Sequence, residues 1–199
     1  MQIIFFIKSE TVDISNYTIK NIPGSSGRLD VISRGILAAL LAKDGFEKNV
    51  QIWTFLDNYG TFIFNSEILN YINFPKNEIL LTDCFVNFLR MNTSASKDTD
   101  NPLNAVEISE LSMIEAIKEY LKLNYEVFVL KEDGIDFIKQ KSKIQEKNDI
   151  IFIVGSQEDD FINSKELLSL NLPTISIGTQ SYLASSVIRL LKLHLLALT

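Results

Sequence analysis

The densest chemistry in the chain stands at 23–30, where PGSSGRLD sets a proline, two glycines and two serines before Arg28 and Asp30. With only 8 glycines and 4 prolines in 199 residues, three of them within five positions mark a deliberate backbone feature. A turn needs Pro and Gly but not an arginine. An arginine at a helix start opposes the positive end of the helix dipole, so Arg28 requires either a pairing partner or an anion, and both stay open. Asp30, in the first turn, suits the same dipole. Two further stretches could hold a ligand. Ile150–Ser156 reads IIFIVGS, an apolar run emptying into Gly155, which lets the backbone pass close to a ligand, and Ser156, which offers a donor and an acceptor. The plain alternative for Gly155 is a glycine that ends a strand. Thr174–Ala184 reads TISIGTQSYLA and runs through a polar loop into a helix, so backbone amides and carbonyls are presented beside a helix start. That suits a polar, adenosine-like ligand flanked by Tyr182 and Leu183. Neither the G-x-G-x-x-G nor the G-K-[ST] phosphate fingerprint is present.

Other candidates are plainer. Cys84, in CFVNFL, reads as a small buried hydrophobe, and His194, among leucines, as packing. One Cys and one His cannot supply a metal's usual ligand set, and they make a Ser-His triad improbable.

The elements that would position these residues follow from periodicity. Ile3–Ile7, Val50–Leu56, Val127–Leu130, Ile150–Val154 and Thr174–Ile177 are short and apolar on both faces, the pattern of a parallel sheet covered on both sides. Between them lie helical stripes: Leu29, Ile32, Ile36, Leu37 and Leu40 in 29–41, with Gly45 as a stop, and Leu81, Phe85, Phe88 and Leu89 in Asn77–Met91. Ser112-x-x-Glu115 is a capping box for a third helix. The last helix is expected to begin near Ser181, whose hydroxyl could cap it. DNYG at 57–60 predicts a turn into the TFIF run, and NTSASKDTDNP at 92–102 a surface loop or linker. Strands alternating with helices give an α/β fold in a single domain over 1–199.

Bulk composition narrows the function. A content of 46% hydrophobic and 22% charged residues is that of a folded chain, and one cysteine fits a reducing compartment. MQIIFFIK reads as a strand, without the flanks of a signal peptide. YLASSVIRLLKLHLLAL carries Arg189, Lys192 and His194 and falls short of the roughly 20 residues of a membrane span, so a cytoplasmic, soluble protein without a membrane is expected. A net charge of −6 counts against nucleic-acid binding unless basic residues gather on one face. Lys139, Lys141, Lys143 and Lys147 form the basic run, which a solvated helix end also explains.

PGSSGRLDVISRGILAALL together with FIVGS and ISIGTQSYLASSVI resembles the archaeal tRNA pseudouridine N1-methyltransferases (TrmY) of the SPOUT superfamily, and FVLKEDG resembles the family's strand and loop at the equivalent place. The resemblance implies a SPOUT-type parallel sheet flanked by helices on both faces with a C-terminal trefoil knot, a homodimer, and an S-adenosylmethionine site built from three loops. Carried over, those loops are Leu130 and its successors, Gly155 with Ser156, and Ile177, Gly178, Thr179, Gln180, Ser181, Tyr182 and Leu183; Val187 stands where the family has a cysteine. It also implies tRNA as partner; since a pseudouridine ring nitrogen must lose its proton, Asp30 is the candidate base, with Arg28 and Arg34 as phosphate or base contacts. The chain departs from the family in GSQED, where relatives continue Gly-Asp-His-x-Gly, and in FPKNEILLTD, which lacks the arginine of Pro-Asp-Glu-Arg. Two rival readings remain at this stage: a degenerate SPOUT protein that binds RNA or protein without catalysis, and an unrelated small-nucleotide-binding α/β domain. The apolar residues Leu183, Val187, Leu190, Leu191, Leu195 and Leu198 lie on more than one face of the last helix, an independent reason to expect a dimer.

Overall fold

The computed structural model describes residues 1–93, 100–146, 149–155, 161–178 and 180–196. Ser156, Thr179, Lys147, Leu198 and the middle of the 92–102 segment therefore lie outside the described residues. Five strands, β1 (Gln2–Ser9), β2 (Val50–Leu56), β5 (Glu126–Asp136), β6 (Asp149–Val154) and β7 (Thr174–Ser176), pair in parallel. The expected all-parallel sheet needs correction. β3 (Gly60–Asn65) and β4 (Glu107–Ser109) add an antiparallel edge, giving the order β4-β3-β2-β1-β6-β5-β7. The DNYG turn makes β2–β3 a hairpin, and a two-stranded hairpin can only be antiparallel.

Alternation along the central strands builds two cores. Ile3, Phe5 and Ile7 of β1, with Ile150, Phe152 and Val154 of β6, face α2 (Leu29–Leu40), α3 (Glu78–Thr93), α5 (Phe137–Gln145) and α7 (Ala184–Leu196). Ile4, Phe6, Ile151 and Ile153 face α4 (Met113–Lys122) and the short α6 (Lys165–Leu168). This is why the central strands carry no polar alternation. The one-turn helix α1 (Ile22–Ser25) ends immediately before the Gly27–Arg28 turn.

Local signals fixed several boundaries. Ser112 and Glu115 form the complete reciprocal cap of α4. α2 stops at Leu40, and Gly45 belongs to the turn beyond, closed by the Leu41–Phe46 bridge. α7 begins at Ala184, not near Ser181. Its first amides, Ser186 N and Val187 N, donate to Leu183 O at 2.8 and 3.0 Å, so the backbone itself opens the helix.

α2 and α7 pack side by side in the same direction. A Cβ on Gly35 would meet Ile188 at 3.8 Å, while Lys192 Nζ donates to Ala38 O and Leu41 O, each at 2.9 Å. The two contacts advance together along both helices, so the first turn of α2 stands level with the residues that lead into α7.

Candidate active site

Parallel sheets offer ligand crevices beyond the carboxyl ends of their strands, and here the ends of β5, β6 and β7 enclose a cleft of about 500 Å³. Its first wall is an excursion in β5. Leu130 and Ile135 both lie opposite Ile175 of β7, so Lys131–Gly134 loop out between them. A Cβ on Gly134 would stand 2.5 Å from the Ile175 carbonyl carbon, so only glycine lets the excursion close against β7. β6 supplies the second wall, ending at Val154 and Gly155. The third is formed by residues 176–178 and 180–182. The Ser176 hydroxyl donates to Gly178 O at 2.7 Å and accepts from Gly178 N at 3.2 Å, which fixes the backbone at the cleft's edge.

The cleft brings together Leu130, Gly155, Ile177 and Gly178, and with them Gln180, Ser181, Tyr182 and Val187, all residues expected from the sequence. Leu183 does not join them; it is exposed and its carbonyl starts α7. Sequence reasoning missed Ser176 and the far wall, where Lys131 Nζ donates to Asn163 Oδ1 at 2.8 Å. Nothing local flags Asn163, because its place in the wall depends on the chain returning after β6. The charged residues lining the cleft are Lys131, Glu132 and Asp133, so positive charge for RNA has to come from elsewhere. Its volume lies in the range of roughly 300–1,000 Å³ in which small-molecule sites fall. Three loops of close-approaching backbone, a tyrosine ring and few charges fit a nucleoside-bearing cofactor.

The second constellation stands at the start of α2. Gly27 has φ +54° and Arg28 φ +66°, two consecutive left-handed residues, the second not a glycine. Gly27 is required there, since a Cβ would fall 1.9 Å from Thr11 O. Gly27 O accepts from the Thr11 hydroxyl at 3.0 Å and Ser26 O from Asp13 N at 3.3 Å, so the turn is clamped onto the loop that follows β1. Arg28 thereby resolves its conflict with the helix dipole by pairing: its Nε lies 3.2 Å from Asp30 Oδ1. Arg34 Nη2 reaches Asp30 Oδ2 at 3.2 Å from the next turn. The Asp30 side chain is 3% exposed, against 32% for Arg28 and 29% for Arg34. Arg34 Nε also sits 3.3 Å from Glu78 Oε2 of α3, close enough to attract but not aligned as a hydrogen bond. Because α2 and α7 run in step, this cluster and the cleft share one end of the sheet.

A larger cleft of about 890 Å³ lies at the ends of β1 and β2 beneath α4. It carries Glu10, Asp57, Glu110, Glu115 and Glu166 against Lys8 and Lys118. That excess of negative charge suits RNA poorly, so the smaller cleft, at three parallel strand ends, is the better site. Among the described residues, no group of three His, Cys, Asp or Glu could hold a metal ion, and no helix is long and apolar enough to cross a membrane.

The model of a family of SAM-dependent RNA methyltransferases matches residues 1–199. A tRNA (pseudouridine(54)-N(1))-methyltransferase of Thermococcus onnurineus is 24% identical over 98% of this chain and 97% of its own length. The enzyme of the same name from Pyrococcus abyssi is 25% identical over 96% of each chain, and that from Methanosarcina mazei 26% identical over 96% of this chain and 89% of its own. Among solved structures, Archaeoglobus fulgidus Nep1 bound to S-adenosylhomocysteine aligns with a TM-score of 0.66 over 98% of this chain and 97% of its own, at 14% identity. At that identity the likeness establishes a shared α/β fold.

Proposed function

The chain belongs to the SAM-dependent RNA methyltransferase family, and from that membership we propose that it methylates N1 of a pseudouridine in the T-loop of tRNA. Membership sets aside the unrelated nucleotide-binding domain as an alternative. The pseudouridine specificity rests on the near full-length likeness to relatives that carry it in their names. The observation that carries the enzymatic reading is the cleft itself, in which residues from three separate loops converge at parallel strand ends.

S-adenosylmethionine, when bound, supplies an electrophilic methyl group. The chain's own contribution is positioning, since in-line attack by a ring nitrogen demands close alignment. Gly155 and the 176–178 backbone would hold the cofactor by close approach, with Tyr182 flanking and Val187 beneath, and Leu130 on the opposite wall. Ser156, Thr179 and Leu183 belong to this proposal on the strength of the family resemblance. Arg28 and Arg34 would meet the RNA backbone, giving an affinity that falls with added salt.

The proposal includes a single domain with a C-terminal trefoil knot, a cytoplasmic location and a homodimer. Leu183, just before α7, and Leu193 on it are exposed, as is Ile138 on α5, which packs against α7 through the Phe137–His194 ring contact. Burying these side chains against a second copy would remove them from water. Sedimentation should give twice 22.6 kDa; a single-chain mass at micromolar concentration would remove the dimer.

The deciding experiment has two arms. Calorimetric titration with S-adenosylmethionine and S-adenosylhomocysteine should show micromolar-class binding. Labelled methyl should then pass to tRNA carrying the pseudouridine and not to tRNA lacking it. Absence of heat and of a thermal shift with both ligands would overturn the enzymatic reading, and equal labelling of both tRNAs would overturn the specificity.

A further inference from the structure

We propose that Asp30 is a positioning residue for RNA binding, acting through Arg28 and Arg34, and not the proton acceptor of the reaction; the inference rests on the RNA-directed function proposed above. A general base has to come within hydrogen-bond reach of the proton it removes. The Asp30 side chain is 3% exposed and each of its oxygens is held by a guanidinium, Oδ1 by Arg28 and Oδ2 by Arg34, both at 3.2 Å. A substrate could reach the carboxylate only by displacing an arginine. The arginines, by contrast, lie between the carboxylate and solvent and are ten-fold more exposed.

Several features converge on holding those two groups still. The left-handed Gly27–Arg28 pair turns the Arg28 backbone so that its side chain folds back onto Asp30 two residues on. Strained non-glycine backbone of this kind persists where the surroundings over-determine it, and here the Thr11 and Asp13 contacts do so. Arg34 is oriented from two sides, by Asp30 within its own helix and by Glu78 from α3. A planar guanidinium held by a carboxylate is pre-organised for forked contact with a second anion, which a flexible lysine is not. The cleft's own charges are Lys131 against Glu132 and Asp133, so contacts to phosphate have to come from outside it, and these two guanidinium groups, each about a third exposed, stand at the level of the α7 start. The ligand class is therefore a phosphodiester of the RNA backbone beside the target nucleotide.

The test uses the full chain with Asp30→Asn, Arg28→Ala/Arg34→Ala and the triple variant, measuring tRNA affinity against salt and single-turnover methyl transfer against pH. Asp30→Asn should weaken tRNA binding at least ten-fold. The double-arginine variant should flatten the salt dependence by about 1.5 in log–log slope, the share of two phosphate contacts, whereas Asp30→Asn, which keeps both charges, should leave the slope within about 0.5. Transfer at saturating tRNA should stay within about two-fold, with the pH profile unchanged in shape. In the double-arginine background Asp30→Asn should change affinity by less than two-fold, because a residue acting through the arginines adds nothing once they are gone. S-adenosylmethionine binding by calorimetry should be equal throughout and reports an intact fold. If Asp30→Asn does not fold, Arg34→Lys decides: retained charge without the fork should weaken binding about five-fold at an unaltered salt slope, and unchanged affinity would overturn the proposal. Should Asp30→Asn bind tRNA normally but lose turnover together with the acid limb of the profile, Asp30 is the base and this inference alone fails. Wild-type protein that binds the cofactor but no tRNA would overturn the proposed function and this inference with it.

Discussion

At the N-terminal end of α2 a carboxylate is buried under two arginines that stay about a third exposed. At the C-terminal end of the same helix the Lys192 ammonium is buried against Ala38 O and Leu41 O, with Glu47 Oε1 at 3.2 Å. Lysine at a helix C-terminus satisfies orphan carbonyls and suits the dipole, so that end is closed by hydrogen bonds that hold α7 in register. Arginine at the N-terminus opposes the dipole and needs a strained turn and a buried acid to stay there. One end is arranged for packing; the other stores an arrangement that packing does not need. That difference separates a buried charge that ties two helices together from the one proposed to serve RNA binding, on a single twelve-residue helix.

Variants should divide along that line. Gly27→Ala should have the largest effect, because its Cβ would fall 1.9 Å from a backbone oxygen at a positive φ. We expect a loss of roughly 3 kcal/mol in urea denaturation, together with loss of tRNA affinity. Lys192→Met should cost about 1–3 kcal/mol by the same measurement, since it strands Glu47 and two carbonyls, while leaving the salt slope of tRNA binding untouched. A change in that slope would mean that the two ends are not separable.

Away from both ends, Gly155→Val should weaken S-adenosylmethionine binding about ten-fold or more in calorimetry and leave cofactor-free tRNA affinity alone. Its Cβ would meet the Ile162 side chain, Cδ1 at 2.5 Å and Cγ1 at 3.5 Å, so among the described residues the cost falls on the cleft and not on a backbone. The smallest effect is electrostatic and opposite in sign at the two ends. Burial, reinforced by Asp83, pushes the Tyr17 hydroxyl near the N-terminal end up to about 12. A raised folded value gives stability that is full below 10, the ordinary tyrosine value, and lost as pH rises through 12. Burial pushes the Lys192 ammonium down, against the pull of Glu47. Its cost to folding is thus relieved as pH climbs toward the ordinary lysine value of 10.5. Denaturation between pH 8 and 11.5 should show Tyr17→Phe declining less steeply than wild type and Lys192→Met more steeply. Matching slopes would remove the electrostatic contrast.

Much of this molecule was legible where the physics is local. The Ser112–Glu115 cap, the β2 strand at Val50–Leu56 and the turn at 57–60 each arise from neighbours within a few residues. Of the cleft, Gly155 and the residues Ile177, Gly178, Gln180, Ser181 and Tyr182 could be read because parallel strand ends are where ligands bind, whatever the rest of the chain does. Asn163 could not, since it reaches Lys131 across 32 positions of chain. Lys192 was read as a charge interrupting an apolar run, yet it is buried; only the neighbouring helix reveals the carbonyls that receive it.

The sequence alone determined that strands apolar on both faces would form a covered sheet, and that Arg28 could not sit at a helix start without a partner or an anion. It could not choose between those, because the choice depends on whether Asp30 is buried and where Arg34 points. Nor could it foresee that β4 would close the edge against β3, because that pairing joins segments far apart in the chain. Tertiary structure decided both: periodicity reports which faces are apolar, whereas the partner of a charge is fixed only when distant segments, here the 11–13 loop, α2 and α3, are packed into one place.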